Sequence, residues 1–238
     1  MNEKRRFMMR EDRNVSLKSP AVAAGQKSKE ENYWLTRFSG ELIKSTFPYD
    51  FNQTDGPTPP VGCHPFQLTG NVFSRLMKLI NNADVRLYIT LAAGWLVLLN
   101  KYTGNRDIVL GAPIYKQAQE VKFVNTVLPL RTRVDGQMTF KELLLQVGNV
   151  LFQAVAHQNY PMQTLLYHLN LPFSPEQDFP LFDISILLEN IHDKKYLQDI
   201  RHHISISFLR TRECIKGNVQ YSGSRYERQT IARMVRHF

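Results

Sequence analysis

Phe123-Val124-Asn125-Thr126-Val127-Leu128-Pro129-Leu130-Arg131-Thr132-Arg133-Val134 is a run of β-branched and apolar residues closed by Asp135-Gly136. The run is rich in Val and Leu and bounded by turn residues, which reads as a buried strand of a sheet. Asp107 to Ile114, preceded by Gly104 and with Pro113 near its end, repeats that pattern upstream. Immediately downstream the period changes. Thr139 and Glu142 have capping-box spacing, and Phe140, Leu143, Leu144, Val147, Leu151, Ala154 and Val155 line one helical face as far as His157. On the N-terminal side, Leu87 to Asn100 is apolar almost all round and reads as the central buried helix, closed by Lys101 and Gly104. Before it, Val72, Phe73, Leu76, Leu79 and Ile80 recur at three and four residues, on a helix ending at Asn81-Asn82. Helices and strands interleave without a fixed repeat, so the chain is expected to be one α/β layer structure.

Beyond the loop Leu171 to Pro180, the segments Leu181 to Leu188, Ile204 to Phe208 and Ile215 to Tyr221 read as strands by alternation and β-branching. The chain closes on a helix, with Ser224 and Glu227 as its capping box and Ile231, Met234, Val235 and Phe238 as its buried face. Toward the other end, the five prolines between Phe47 and Pro65 predict an extended connection. A short amphipathic helix is expected to start at Ser28, capped with Glu31, to bury Tyr33, Trp34, Leu35 and Phe38, and to stop at Gly40. Residues 1–29, charged and small, are expected to be a flexible basic leader, with Met1 a natural beginning, and 30–238 the folded unit.

Of the 238 residues 43% are apolar, enough for a packed core. The longest apolar run, Leu87 to Leu99, is too short to cross a bilayer, and Met1 to Arg13 lacks the apolar segment of a secretory signal; a cytoplasmic protein without membrane contact is expected. Cys63 and Cys214 have no paired spacing and read as packing residues rather than a disulfide or zinc site. The net charge of +9 sits at the ends: Lys/Arg outnumber Asp/Glu 8 to 4 in residues 1–30 and 10 to 3 in 194–238, against 12 to 14 between. No recognition helix, zinc finger or RNA-binding sheet motif accompanies the charge, so no nucleic-acid partner is expected; a basic end would instead draw an acidic protein.

His202-His203 could set a general base beside an orienting neighbour, but they precede the strand pattern Ile204-Ser205-Ile206-Ser207-Phe208 and no Asp or Glu falls where it could fix an imidazole tautomer locally. A structural role is expected for them, and for His157 and His168, whose rings can bond nearby carbonyls. No nucleophile elbow, P-loop, dinucleotide fingerprint or zinc-protease helix occurs, and no metal or directly bound cofactor is expected.

Two strings carry a family resemblance. Val121-Lys122-Phe123-Val124-Asn125-Thr126, with Arg131 a few residues on, resembles the [IV]GxFVNT motif of the condensation domains of nonribosomal peptide synthetases. His157-Gln158-Asn159-Tyr160-Pro161-Met162-Gln163 resembles that family's HQDYPFE motif, in the expected order and across the expected helix. Tyr33-Trp34, the segment Asn105 to Pro113, Pro180-Leu181-Phe182 and the terminal segment from Tyr221 also fit, so the resemblance spans about residues 30–238. Lys122, Asn159 and Met162-Gln163 depart from the motifs, and the RDxSRNPL motif is reduced to Pro175 through Leu181.

The resemblance implies the C-terminal lobe of a domain similar to chloramphenicol acetyltransferase, in which two related lobes, each a mixed sheet covered by helices, form a V. The family's catalytic string HHxxxDG belongs to the other lobe and is missing from this sequence; at His202-His203 the Asp and Gly positions hold Ser207 and Phe208. The implied function is that of a catalytically incomplete condensation domain, docking within a synthetase or completing a split enzyme. Its implied partners are adenylation and carrier domains and a separate N-terminal lobe, with phosphopantetheine borne by the carrier. Phe123, Val124, Asn125, Thr126, Arg131, His157, Gln158, Tyr160 and Pro161 are the motif positions, expected to be mainly architectural or tunnel-side. The alternative is a small stand-alone acyltransferase of the same superfamily acting on a thioester; an epimerisation half-domain is disfavoured by the Phe-Val-Asn-Thr string.

Overall fold

The computed structural model describes residues 20–52, 61–117, 124–171, 173–174 and 176–238. A six-stranded mixed sheet in the order β1-β6-β5-β4-β2-β3 organises the chain. Its strands are β1 (Val61–Leu68), β2 (Asp107–Pro113), β3 (Val127–Arg133), β4 (Ile184–Leu188), β5 (Ile204–Arg210) and β6 (Ile215–Ser222). The central β2-β4-β5 run is parallel and the outer pairs are antiparallel. The helices are α1 (Pro20–Arg37), α2 (Gly70–Ile80), α3 (Asp84–Thr103), α4 (Phe140–Ala156), α5 (Met162–His168) and α6 (Arg228–His237). This is the α/β architecture expected: a mixed sheet covered by helices.

Several boundaries differ from the sequence reading. Helix α1 begins at Pro20, not at Ser28, so residues 20–29 are helical rather than part of a leader. Proline at the first helical position and the alanines that follow it explain the earlier start. Residues 1–19 lie outside the described part. Strand β1 occupies the end of what reads as a proline-rich connection. It is the sheet's edge, no residue of it is buried, and Pro65 is accommodated there because an edge position can do without a ladder donor. Pro129 sits likewise on the opposite edge strand, β3. Cys63, on β1, is exposed and so is no packing residue.

The caps explain where the helices stop and start. Asn81 closes α2 in the left-handed conformation with φ 49°, and Gly104 closes α3 with φ 70°. The capping box of α4 forms in both directions: Thr139 N–H donates to Glu142 Oε2 at 2.8 Å, and Glu142 N–H donates to Thr139 Oγ1 at 3.3 Å. Phe140, read as part of the buried face, lies exposed in the first turn, whereas Leu143, Val147, Leu151 and Ala154 are buried. The box expected for α6 does not form. Ser224 Oγ instead lies 2.7 Å from Ser222 Oγ, and the helix start is capped from far away in sequence: Glu227 N–H and the Thr230 hydroxyl both donate to the Asp50 carboxylate at 2.8 Å.

Helix α3 is the core of the molecule, with Leu87, Tyr88, Leu91, Ala92, Trp95, Leu96 and Leu99 buried. On the face α3 and α6 share, Phe238 stacks on Trp95 and meets Phe66 of β1 and Phe208 of β5. Gly217 of β6 lies opposite Phe66, whose ring occupies the space where a Cβ would stand, at 2.3 Å. Any side chain at position 217 would displace that ring.

The other face of the β1-β6-β5 half of the sheet is wet. Registered across the strands run Cys63, Gln220 and Ser205 in one row and Pro65, Asn218 and Ser207 in the next; none of these is buried. The alternating residues Ile204, Ile206, Phe208, Ile215 and Val219 are buried on the helix side.

Candidate functional site

Asn125 stands at the meeting of the two motif strings. It is buried, and its side-chain Nδ2 donates to Gln158 O at 2.6 Å and to Tyr160 O at 2.7 Å, while its Oδ1 accepts from Met162 N–H at 2.8 Å. One amide thus satisfies the backbone of the turn that leaves α4 and enters α5. An Asp at 125 would offer no donor to the two carbonyls, and a Ser could not reach all three partners. Pro161 is the N-cap of α5, with φ −62°, and directs the chain out of that turn.

Helix α1 closes over the same turn. Trp34 Nε1–H donates to His157 O at 2.8 Å, and the Tyr33 and His157 rings stack with centroids 4.2 Å apart. His157 Nδ1 lies 2.8 Å from Gln153 O, so its proton resides on Nδ1. The buried Tyr160 hydroxyl reaches Glu31 Oε1 at 3.4 Å, and burial first, then that carboxylate, raises its pKa. His168 faces Glu31 at 3.5 Å rather than a carbonyl.

Arg131 ties α1 to the sheet edge. Its Nε and Nη2 meet the two carboxylate oxygens of Asp107 at 2.9 and 2.6 Å. Its remaining N–H groups donate to Arg37 O, Ser39 O and Glu41 O, the carbonyls that leave the end of α1. In return Arg37 Nη2 donates to Arg131 O on the outer side of β3, covering a backbone acceptor that an edge strand would otherwise present. Val124 is exposed, and Thr126 is half-buried with its carbonyl accepting from Ile114 N–H at 3.0 Å. Gln158 contributes its carbonyl. Phe123 lies outside the described residues, as do Val121 and Lys122.

The histidine pair is better partnered than local sequence suggests. His203 Nε2 lies 2.9 Å from Asp178 and 3.9 Å from Asp183, carboxylates delivered by the preceding loop and the start of β4. Asp183 is fully buried, with Lys44 at 3.3 Å and the Tyr49 hydroxyl donating at 3.2 Å; burial raises its pKa against the pull of His203 and Lys44. His202 Nδ1 lies 2.7 Å from Ile200 O, so Nε2 is the acceptor for the Ser185 hydroxyl at 2.7 Å. Burial lowers the His202 pKa and keeps the ring neutral. His202, Ser205, Ser207, Asn218 and Gln220 border a cavity of about 560 Å³ on the wet sheet face, but Ser185 is wholly buried behind them. Among the described residues no group of His, Cys, Asp and Glu could hold a metal ion.

Fold and site together define one α/β lobe in which two motif turns and a long helix are laced by Asn125 and Arg131, with a polar sheet face left open. The chain belongs to the condensation-domain family, whose sequence model matches residues 18–238. It is similar to tyrocidine synthase 3 of Brevibacillus parabrevis, 30% identical over 230 residues, covering 89% of this chain and 4% of the relative. It is also similar to bacitracin synthase 2 of Bacillus licheniformis, 30% identical over 236 residues, covering 88% and 9%. Among solved structures it resembles the X-domain of teicoplanin biosynthesis in its complex with OxyB, with TM-score 0.74, 17% identity and coverage of 89% of this chain and 51% of that one. The starter condensation domain of rhizomide synthetase matches with TM-score 0.62, 17% identity and coverage of 90% and 51%. The chain thus spans about half of those solved domains and a small fraction of the curated relatives. No single helix among the described residues is long and apolar enough to cross a membrane.

Proposed function

We propose that this chain is the C-terminal lobe of a two-lobed condensation unit in cytoplasmic peptide biosynthesis, contributing architecture and docking surface rather than the proton-transferring histidine. One observation carries the reading: its fold covers 51% of a solved condensation domain, while its sequence holds the motif pair of one lobe and no HHxxxDG string. On this reading Asn125, Arg131, His157, Gln158, Tyr160 and Pro161 hold the lobe's motif turns in register, and Val124 and Thr126 border the ground shared with a partner lobe. Amide formation would join a thioester and an amine, each on a phosphopantetheine arm of a carrier domain, with the base supplied by the other lobe. Adenylation and carrier domains are then its neighbours.

Pure docking is the second form of the same reading, favoured by the likeness to an X-domain solved with OxyB bound. A stand-alone acyltransferase is disfavoured by the geometry, since His202 Nε2 is engaged by a buried serine rather than free at the cavity wall.

The test is an amide-formation assay on carrier-tethered donor and acceptor, followed by mass spectrometry. The chain alone should give no product; adding a separately produced N-terminal lobe that bears HHxxxDG should restore it, and replacing that lobe's second histidine should abolish it. Product from the chain alone would refute the proposal. Binding of carrier or adenylation domains without any restored synthesis would leave docking as the function and exclude the split enzyme.

A further inference from the structure

A second cavity, of about 770 Å³, lies between α1 and α4 over the edge strand β3, away from the wet sheet face. Lys29, Tyr33 and Arg37 line it from α1, Gln146, Gln153 and His157 from α4 and its C-cap, and Arg131 and Arg133 from β3. Among the described lining residues the only carboxylate is Asp107, and both oxygens of that group meet Arg131. Lys29, Arg37 and Arg133 are then a surplus of positive charge with no ion-pair partner among the described residues. The Arg37 Nε–H is itself buried, with no acceptor among the described residues, so Arg37 meets the groove through the rest of its side chain.

We infer that this groove binds a multiply charged phosphate group, held by Arg37, Arg133 and Lys29 beside the Tyr33–His157 ring pair. The charge count decides the class, because a single carboxylate would leave most of the surplus uncompensated, whereas a phosphomonoester or diphosphate matches it. Guanidinium groups suit tetrahedral oxyanions through paired N–H donors.

The experiment is calorimetric titration of the whole chain with inorganic pyrophosphate and, separately, phenyl phosphate, at physiological ionic strength, so that diffuse ion attraction is screened. Saturable one-to-one binding is expected, and the double variant Lys29→Gln, Arg133→Gln should weaken it about tenfold or more with an unchanged melting temperature. These two side chains are exposed and make no fold-supporting bond among the described residues, so the variant tests charge rather than folding. Arg37→Gln is the supplementary variant, judged only if its melting temperature is also retained. Tighter binding of phenyl phosphate would assign an ester with a flat organic part, and tighter binding of pyrophosphate a free polyphosphate. No saturation by about 10 mM, or equal affinity in the double variant, overturns the inference. So would an oligoglutamate peptide that binds more tightly than either probe and displaces both, since the occupant would then be an acidic protein segment.

Discussion

Asn125 shows how one side chain can make a motif necessary without touching a substrate. Its three backbone partners line the passage from the end of α4 to the first residue of α5, and one side chain bonds all of them. Asn125→Ala should destabilise the protein by about 2–4 kcal/mol in urea unfolding, from lost bonds and stranded carbonyls. Asn125→Asp should be at least as damaging, because it keeps the acceptor for Met162 N–H but presents a carboxylate to two carbonyl oxygens; a neutral outcome would show that donation by Asn125 is not what matters. Arg131→Lys tests the neighbouring contact. An ammonium cannot serve both Asp107 oxygens and the carbonyls of Arg37, Ser39 and Glu41 together, so a loss of roughly 1–3 kcal/mol is expected even with the charge retained.

Among the elements, the α6 terminus separates local from long-range control. Asp50→Ala should cost about 0.5–2 kcal/mol, as loss of a helix N-cap does, whereas Ser224→Ala should fall within about 0.5 kcal/mol of the parent. The reverse order would restore the capping box that the sequence spacing suggests. The same contrast separates the elements legible in the sequence from those that are not. Helices α2, α3 and α4 and strands β2 to β6 announce themselves through period and caps, because their burial is set by residues close in sequence. Strand β1 and the early turns of α1 do not: no residue of that edge strand is buried, and Pro65 argues against any strand. At the site, motif spacing locates Asn125 and Arg131, yet no local signal links His203 to Asp178 and Asp183, or Asn125 to Met162. Those partners arrive only through the sheet order and the crossover connections. Lys29, Arg37 and Arg133 are likewise scattered through the chain and become a cluster only when α1 lies along the edge of β3.

At the scale of the whole molecule, pH dependence should pass through His192. The ring is fully buried between Tyr115 and Tyr88, and its Nδ1 accepts from Leu188 N–H at 3.1 Å. Burial, with a smaller contribution from Lys116, pushes its pKa down to about 4. A folded-state pKa below the unfolded value means that this contribution to stability is complete above about pH 6.5 and is lost as pH falls toward 4; its size is roughly 3 kcal/mol. Asp183 acts in the opposite sense, because its raised pKa favours the folded state when protonated and the contribution declines as pH rises through the carboxylate range. Urea midpoints measured from pH 7 to pH 4 should therefore fall for the parent and fall less for His192→Gln. Parallel curves would place the acid sensitivity elsewhere.

The rows of Ser, Asn and Gln on the open half of the sheet have a calorimetric consequence. Water already bonds such a surface well, so covering it transfers little hydrocarbon out of solvent. Any protein that docks there should do so with only a small decrease in heat capacity, in contrast to the large one that marks closure of an oily interface.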